Sequence, residues 1–239
     1  METLDLKCTG IQFNMYYEPV TNIRDRAIEL ESKFKDMFPS GFTVFPDMGP
    51  MAPLDAPRIM GTSVDGSCGL ALAITRANIT RFRVADAYDA QRSLELFKEN
   101  IWRLYDAITG ITSNNKVLFC GITMYFEVLI ENGATDLLKE KFIRLSTEKE
   151  VYDLETKFTF VENDTYYINL SISNLRDQSL NDVGFVLQLD VNDRYRFNCE
   201  NAKGNIPNFS EGGVLDGLCS VCFGVLESRL DRVINDGAY

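Results

Sequence analysis

The 239-residue chain carries 35 acidic and 24 basic side chains, a net charge of −11, and no histidine. That balance lacks the basic footprint of a nucleic-acid binder, and the absence of imidazole excludes every catalytic triad or dyad that needs one. No run approaches the roughly 20 apolar residues of a membrane span, and the N-terminal METLDLKCTG lacks the basic region and apolar core of a signal peptide, so the chain reads as cytoplasmic.

From Leu4 to Tyr17 the pattern is strand-like. Leu4, Leu6 and Cys8 alternate, Gly10 interrupts, and Ile11, Phe13, Met15 and Tyr17 alternate again, so a bulge at Gly10 is expected. Ile23, Ala27, Leu30, Phe34 and Met37 fall at helical spacing, with Asn22 as N-cap and Pro39 as the stop. FTVF is a short strand, and the proline-rich PDMGPMAPLDAP is a loop. A meander follows, with Asp65-Gly66 as a hairpin turn, alternation at Leu70, Leu72 and Ile74, and a strand from Ile79 to Val84. Leu94, Phe97, Ile101, Leu104 and Ile108 then form the apolar stripe of a long helix.

The order then begins again. KVLFCGITMYFEVLI is a long strand with Leu118, Cys120, Ile122, Met124, Phe126 and Val128 on one face, and GATDLLKEKFI is a short helix. Three strands follow, VYDLETKFTFV, TYYINLSISN and VGFVLQLDV running on into RYRFNC, with turns at Asn163-Asp164 and Asn192-Asp193. A final helix spans about Gly213 to Ile234. The expected class is α+β: two tandem units, 1–113 and 114–239, each an antiparallel meander sheet with helices packed on one face. One continuous sheet, in a single domain, fits the same order of elements.

The segment RIMGTSVDGSCGLALAITRANITRFRVADAYDAQRSLELFKENIWRLYDAI resembles a sporadically distributed family of uncharacterised prokaryotic proteins. Family members continue with a strand ending in a Gly-Leu-Arg-Tyr-x-Asn-x-Ile pattern. CGITMYFEVLI is similar to it, keeping Gly121 and Tyr125 but placing Met124 and Glu127 where the family has Arg and Asn. LQLDV, with Asp190, resembles the family's late strand, and the closing helix resembles its amphipathic one. The resemblance spans most of the chain. It implies the tandem α+β layout and, through the family's sporadic distribution, an accessory role in a mobile-element or antiviral defence system; it implies no reaction.

Four groups of residues are candidates for chemistry. Cys219 and Cys222 form a Cys-x-x-Cys, but a zinc site needs four ligands. No second pair exists, and Cys199 supplies only a third thiolate. Set inside an apolar helical run, the pair reads as packing. Asp190, Asp193 and Glu127 would suit a metal-dependent phosphodiesterase or nuclease if they converged on one cation. The buried parity of Phe185, Leu187, Leu189 and Val191 turns Asp190 away from the core, so structural carboxylates are the plainer account. Ser210, Glu211, Gly212 and Gly213 precede a helix and could receive an anion, with Ser210 as a simple N-cap in the plainer reading. Arg76, Arg81, Phe82 and Arg83 give the one basic, aromatic-bearing strand, a surface for a ligand or partner.

Together these features favour a non-enzymatic binding or assembly protein with no cofactor, working as a homodimer or with a protein partner. The metal-dependent nuclease and a small-ligand or nucleotide sensor built on the arginine-bearing meander are the alternatives.

Overall fold

A computed structural model describes residues 5–46, 49, 51–84, 86–112, 117–130, 133–143, 151–205 and 214–236. The fold is α+β, and its centre is a single nine-stranded antiparallel sheet ordered β2-β3-β4-β5-β1-β6-β9-β8-β7. The strands are β1 (Lys7–Tyr17), β2 (Thr43–Val44), β3 (Ile59–Thr62), β4 (Cys68–Leu72), β5 (Arg76–Arg81), β6 (Val117–Leu129), β7 (Glu155–Glu162), β8 (Tyr166–Arg176) and β9 (Asp182–Asn192). The two expected meanders thus share one sheet. Each begins with its innermost strand, β1 or β6, and returns its last strand, β5 or β9, beside it. The β1–β6 pair joins them, and its register shifts between Cys8 and Gly10, where the glycine interrupts the alternation.

The helices are α1 (Ala27–Lys33), α2 (Ala90–Ile111), α3 (Ala134–Leu138), α4 (Arg194–Ala202), α5 (Val214–Ser228) and α6 (Leu230–Asp236). Alternation in the strands and the 3.6-residue stripe of α2 point at the same layer. Ile11, Phe13 and Met15 of β1, Ile122 and Met124 of β6, and Leu94, Phe97, Ile101, Leu104 and Ile108 of α2 are all fully buried between sheet and helices. Asp89 caps α2, its carboxylate accepting from the Arg92 backbone N–H at 2.7 Å. Turn chemistry matches the sequence at two hairpins. Gly66 takes φ +67° between β3 and β4, and Asn163 and Asp164 both take the left-handed conformation between β7 and β8.

Several local expectations are corrected. RYRFNC is not a strand: Arg194–Ala202 forms α4, and Asn192-Asp193 leads into it instead of turning a hairpin. The first helix is a single 3₁₀ turn, Ile23–Arg26, followed by the seven residues of α1, and Asn22 makes no side-chain cap. The last helix breaks at Arg229 into α5 and α6. Lys141, in a π-helical turn after α3, donates to the carbonyls of Ile234 and Asn235 at the C-terminal end of α6, where a cation is favoured. Ser210, Glu211, Gly212 and Gly213 lie outside the described residues.

Candidate functional site

The opposite face of the sheet carries the alternate residues of the same strands, and across its middle runs a row of amides, hydroxyls and one carboxylate. Among the described residues no helix layer covers its middle. Register places Thr80, Gln12, Thr123, Asp190, Asn169 and Thr159 side by side on β5, β1, β6, β9, β8 and β7. Their side chains bond across the strands. Gln12 Nε2 donates to Thr80 Oγ1 at 3.0 Å, Thr123 Oγ1 to Asp190 Oδ1 at 3.1 Å, and Asn169 Nδ2 to Asp190 Oδ2 at 2.9 Å. Thr159 Oγ1 donates in turn to Asn169 Oδ1 at 2.9 Å. Asn192 adds a further donor to Asp190 Oδ2 at 2.7 Å. Ladders of this kind fix side-chain directions on an otherwise solvated face.

Tyr125 stands up from the middle of this face, 37% exposed, and hollows open around it. The most polar of these has a volume of about 270 Å³, near the small end of ligand pockets. Gly121 is its floor. A Cβ there would come within 2.9 Å of Asn192 Cβ and 3.6 Å of Asp190 Oδ1, so only hydrogen leaves the depression open. On one side of Gly121 lies Asn14 and on the other Asn192, its register partners on β1 and β9. Asn14 and Thr123 are only 8% and 5% exposed, polar groups set into the sheet surface.

One wall of the hollow is a row of four side chains. Tyr16 and Phe119 are stacked, with centroids 4.3 Å apart. The Arg76 guanidinium lies 5.4 Å from the Tyr16 ring, and the Arg194 guanidinium 5.4 Å from the Phe119 ring. α4 closes this end, with Phe197 packed on Phe119. Arg76 also donates to Asn14 Oδ1 at 2.6 Å, and its Nε is buried without a hydrogen-bond partner. Neither Arg76 nor Arg194 forms an ion pair among the described residues.

The residues singled out from the sequence are dispersed. Arg76 lines the hollow, and the Phe82 ring lies over Gly69 on the same face. Arg81 and Phe82 together border a second hollow beside Tyr125, with Gln12 and Thr80. Arg81 stands there at a register position whose partners, Ile11 and Cys68, face the helices, and Arg83 is exposed beyond the strand end. Asp190 and Asp193 lie on opposite sides of the sheet. Asp193 is fully buried, accepting the Cys120 N–H at 2.6 Å. Glu127 shares the Asp190 face but lies four residues along β6 from Thr123, the partner of Asp190, about 13 Å at ~3.3 Å per residue. No group of three or more acidic or cysteine side chains among the described residues converges as a metal site.

Cys219 and Cys222 are buried on α5, with Leu215, Leu218 and Val225. Burial pushes the Cys219 thiol up to about 11 and the Cys222 thiol well above its ordinary value, the opposite of a reactive thiolate. Cys199 sits apart on α4. Replacing Cys219 and Cys222 together by Ala should cost roughly 1–3 kcal/mol in denaturant unfolding, as small core truncations do. One zinc per chain in the purified protein, lost in that double variant, would reverse the packing assignment.

Asn14, Tyr16, Phe119 and Arg194 escaped the sequence reading, and Gly121 entered it only through the family resemblance. A signal was present: Gln12, Asn14, Asn78, Asn169, Gln188 and Asn192 put carboxamides on strands, where Asn is depleted. No described helix is long and apolar enough to cross a membrane. No family model, no curated protein and no solved structure matches this chain.

Proposed function

We propose that this chain is a non-enzymatic binding or assembly protein, cytoplasmic, whose contact surface is the amide-lined face of the sheet. One observation carries the reading: the face opposite the helices is built, not merely solvated. Cross-strand bonds tie its side chains between β5 and β1 and from β6 through β9 and β8 to β7, and Asn14 and Thr123 are sunk into it. Such a surface suits a homodimer or a protein partner through directional polar contacts around the Tyr125 post. The accessory role in mobile-element or antiviral defence implied by the family resemblance is consistent with a protein that works by contact. Nucleic acid is disfavoured by the charge of −11.

The test is the mass of the native complex by light scattering and pull-down. Tyr125→Glu should dissociate it, and Arg92→Glu on the exposed side of α2 should not. A monodisperse monomer at cellular concentration, with no partner recovered, would count decisively against the proposal.

The metal-dependent nuclease needs convergent carboxylates, and Asp190 instead accepts from Thr123, Asn169 and Asn192. Mg²⁺ or Mn²⁺ should therefore leave the melting temperature unchanged. A metal-dependent rise abolished by Asp190→Asn would restore that reading.

A further inference from the structure

We propose that the hollow over Gly121 binds a small organic oxyanion, with its phosphate or carboxylate end at Arg76 or Arg194 and a polar body on the carboxamide floor. The inference rests on the reading of this face as the contact surface, and it adds a ligand class to it.

Charge is the first argument. The chain has eleven more acidic than basic side chains. Arg26, Arg92, Arg103 and Arg229 are paired with carboxylates, and Arg58 and Arg176 donate to backbone carbonyls. Arg76 and Arg194 line one hollow, and among the described residues neither meets a carboxylate. Arginine presents a flat fork of donors suited to oxyanions. Here each fork is held near an aromatic ring, which orients the group without spending its N–H donors. Arg194 makes no side-chain hydrogen bond among the described residues, and Arg76 spends one donor on Asn14.

The single carboxylate in the hollow, Asp190, keeps its negative charge while accepting from Thr123, Asn169 and Asn192; it anchors the floor, so the oxyanion end belongs at the guanidinium wall, away from it. Asn192 is oriented by the same floor, Nδ2 donating to Asp190 and Oδ1 accepting the Arg194 backbone N–H at 3.2 Å, with one N–H left over. What remains for a ligand is that N–H, the Asn14 Nδ2, the Gln12 Oε1, the Gln188 amide and the Tyr125 hydroxyl, a mixed set of donors and acceptors. Gly121 gives the body room to approach the sheet backbone. A bare anion would leave that floor unused, and an uncharged polar molecule would leave the two guanidiniums unused.

The test is isothermal titration and thermal shift of the full chain with four probes: ribonucleoside 5′-monophosphates, the matching nucleosides, citrate and inorganic phosphate. At least one monophosphate or citrate should bind saturably and raise the melting temperature. Which of them binds separates phosphate from carboxylate. Nucleosides should not bind. At least one of Arg76→Gln and Arg194→Gln should weaken binding about tenfold or more, the scale of a lost charged hydrogen bond, with unliganded melting temperatures near wild type. Arg83→Gln, outside the hollow, should bind normally. Failure of both monophosphates and citrate at millimolar concentration overturns the inference, as does binding that survives in both arginine variants. Inorganic phosphate binding as tightly as any organic probe overturns the role of the floor. No oxyanion binding while Tyr125→Glu still breaks the protein complex removes this inference alone. Oxyanion binding by a chain that recovers no partner removes the assembly reading alone.

Discussion

Gly184→Ala is expected to destabilise the protein by on the order of 3–5 kcal/mol, the range of strained or clashing buried positions. Gly184 lies in β9 opposite Leu129 of β6 and Leu175 of β8, beside the register shift between Leu175 and Arg176. Its φ is +155°, and a Cβ built there would run into the Val128 carbonyl oxygen, a backbone atom of the neighbouring strand. No rotamer change relieves that, so either β6 and β9 separate or the bulge moves. Gly204 is the control. Its φ is +80°, and nothing lies within 4 Å of the position a methyl would take, so Gly204→Ala should show only the conformational cost, about 1 kcal/mol. Equal unfolding midpoints for the two variants would mean that β6 and β9 give way at Gly184 without loss of stability.

The second large effect is a dependence of stability on pH that runs opposite to the usual one for an aspartate. Asp193 is buried at the entry to α4, where Oδ1 takes the Cys120 N–H and Oδ2 has no partner. Burial raises its carboxyl to about 7, against an opposing pull from the Cys120 amide and the charge of Arg196. The other groups that sense its charge are Tyr105 on α2, Tyr166 on β8 and the Cys120 thiol, all with raised values themselves. Because the folded state holds this proton more tightly than the unfolded chain, stability falls as pH rises from about 4 to about 7, and the loss is complete above that window. At ~1.4 kcal/mol per unit, the swing is on the order of 4 kcal/mol. Carboxylates held low by their partners, such as Glu162 beside Arg229, lose their contribution only at more acid pH. Urea unfolding at pH 5 and pH 8 should therefore show a marked loss at pH 8 in the wild type, and a much smaller one in Asp193→Asn. Parallel pH profiles for the two proteins would show that Asp193 is not the group responsible.

How far the sequence carried this structure depends on the distance over which its signals act. Face parity is local, and it was legible: Phe185, Leu187, Leu189 and Val191 are buried and Asp190 is turned away, as their alternation requires. The same holds for Cys120 through Val128 on β6 and for the stripe of α2. RYRFNC misled because Tyr195, Phe197 and Cys199 also alternate. As a helix it has no fully buried residue, so no apolar stripe announced the 3.6-residue period. The joining of the meanders through β1 and β6 has no local signature, since Gln12 pairs with Thr123 across more than a hundred residues. The hollow inherits that problem. Arg76, Asn14, Gly121 and Arg194 come from four segments, and only the strand order brings them to one wall and floor. Read singly, each is an ordinary polar or glycine position on an outward face.

The two edges of the sheet are unequal. β2 offers two residues and β7 eight, and among the described residues each has a neighbouring strand on one side only. Fibre growth by strand addition needs two different edges that accept one another, so that every added copy exposes the next acceptor. A two-residue edge is too short to serve as one of them. Identical copies adding strands could therefore meet only as β7 against β7, antiparallel about a two-fold axis, which uses both long edges at once and ends at two copies. Geometry alone biases this acidic chain toward closed pairs and away from open-ended polymerisation.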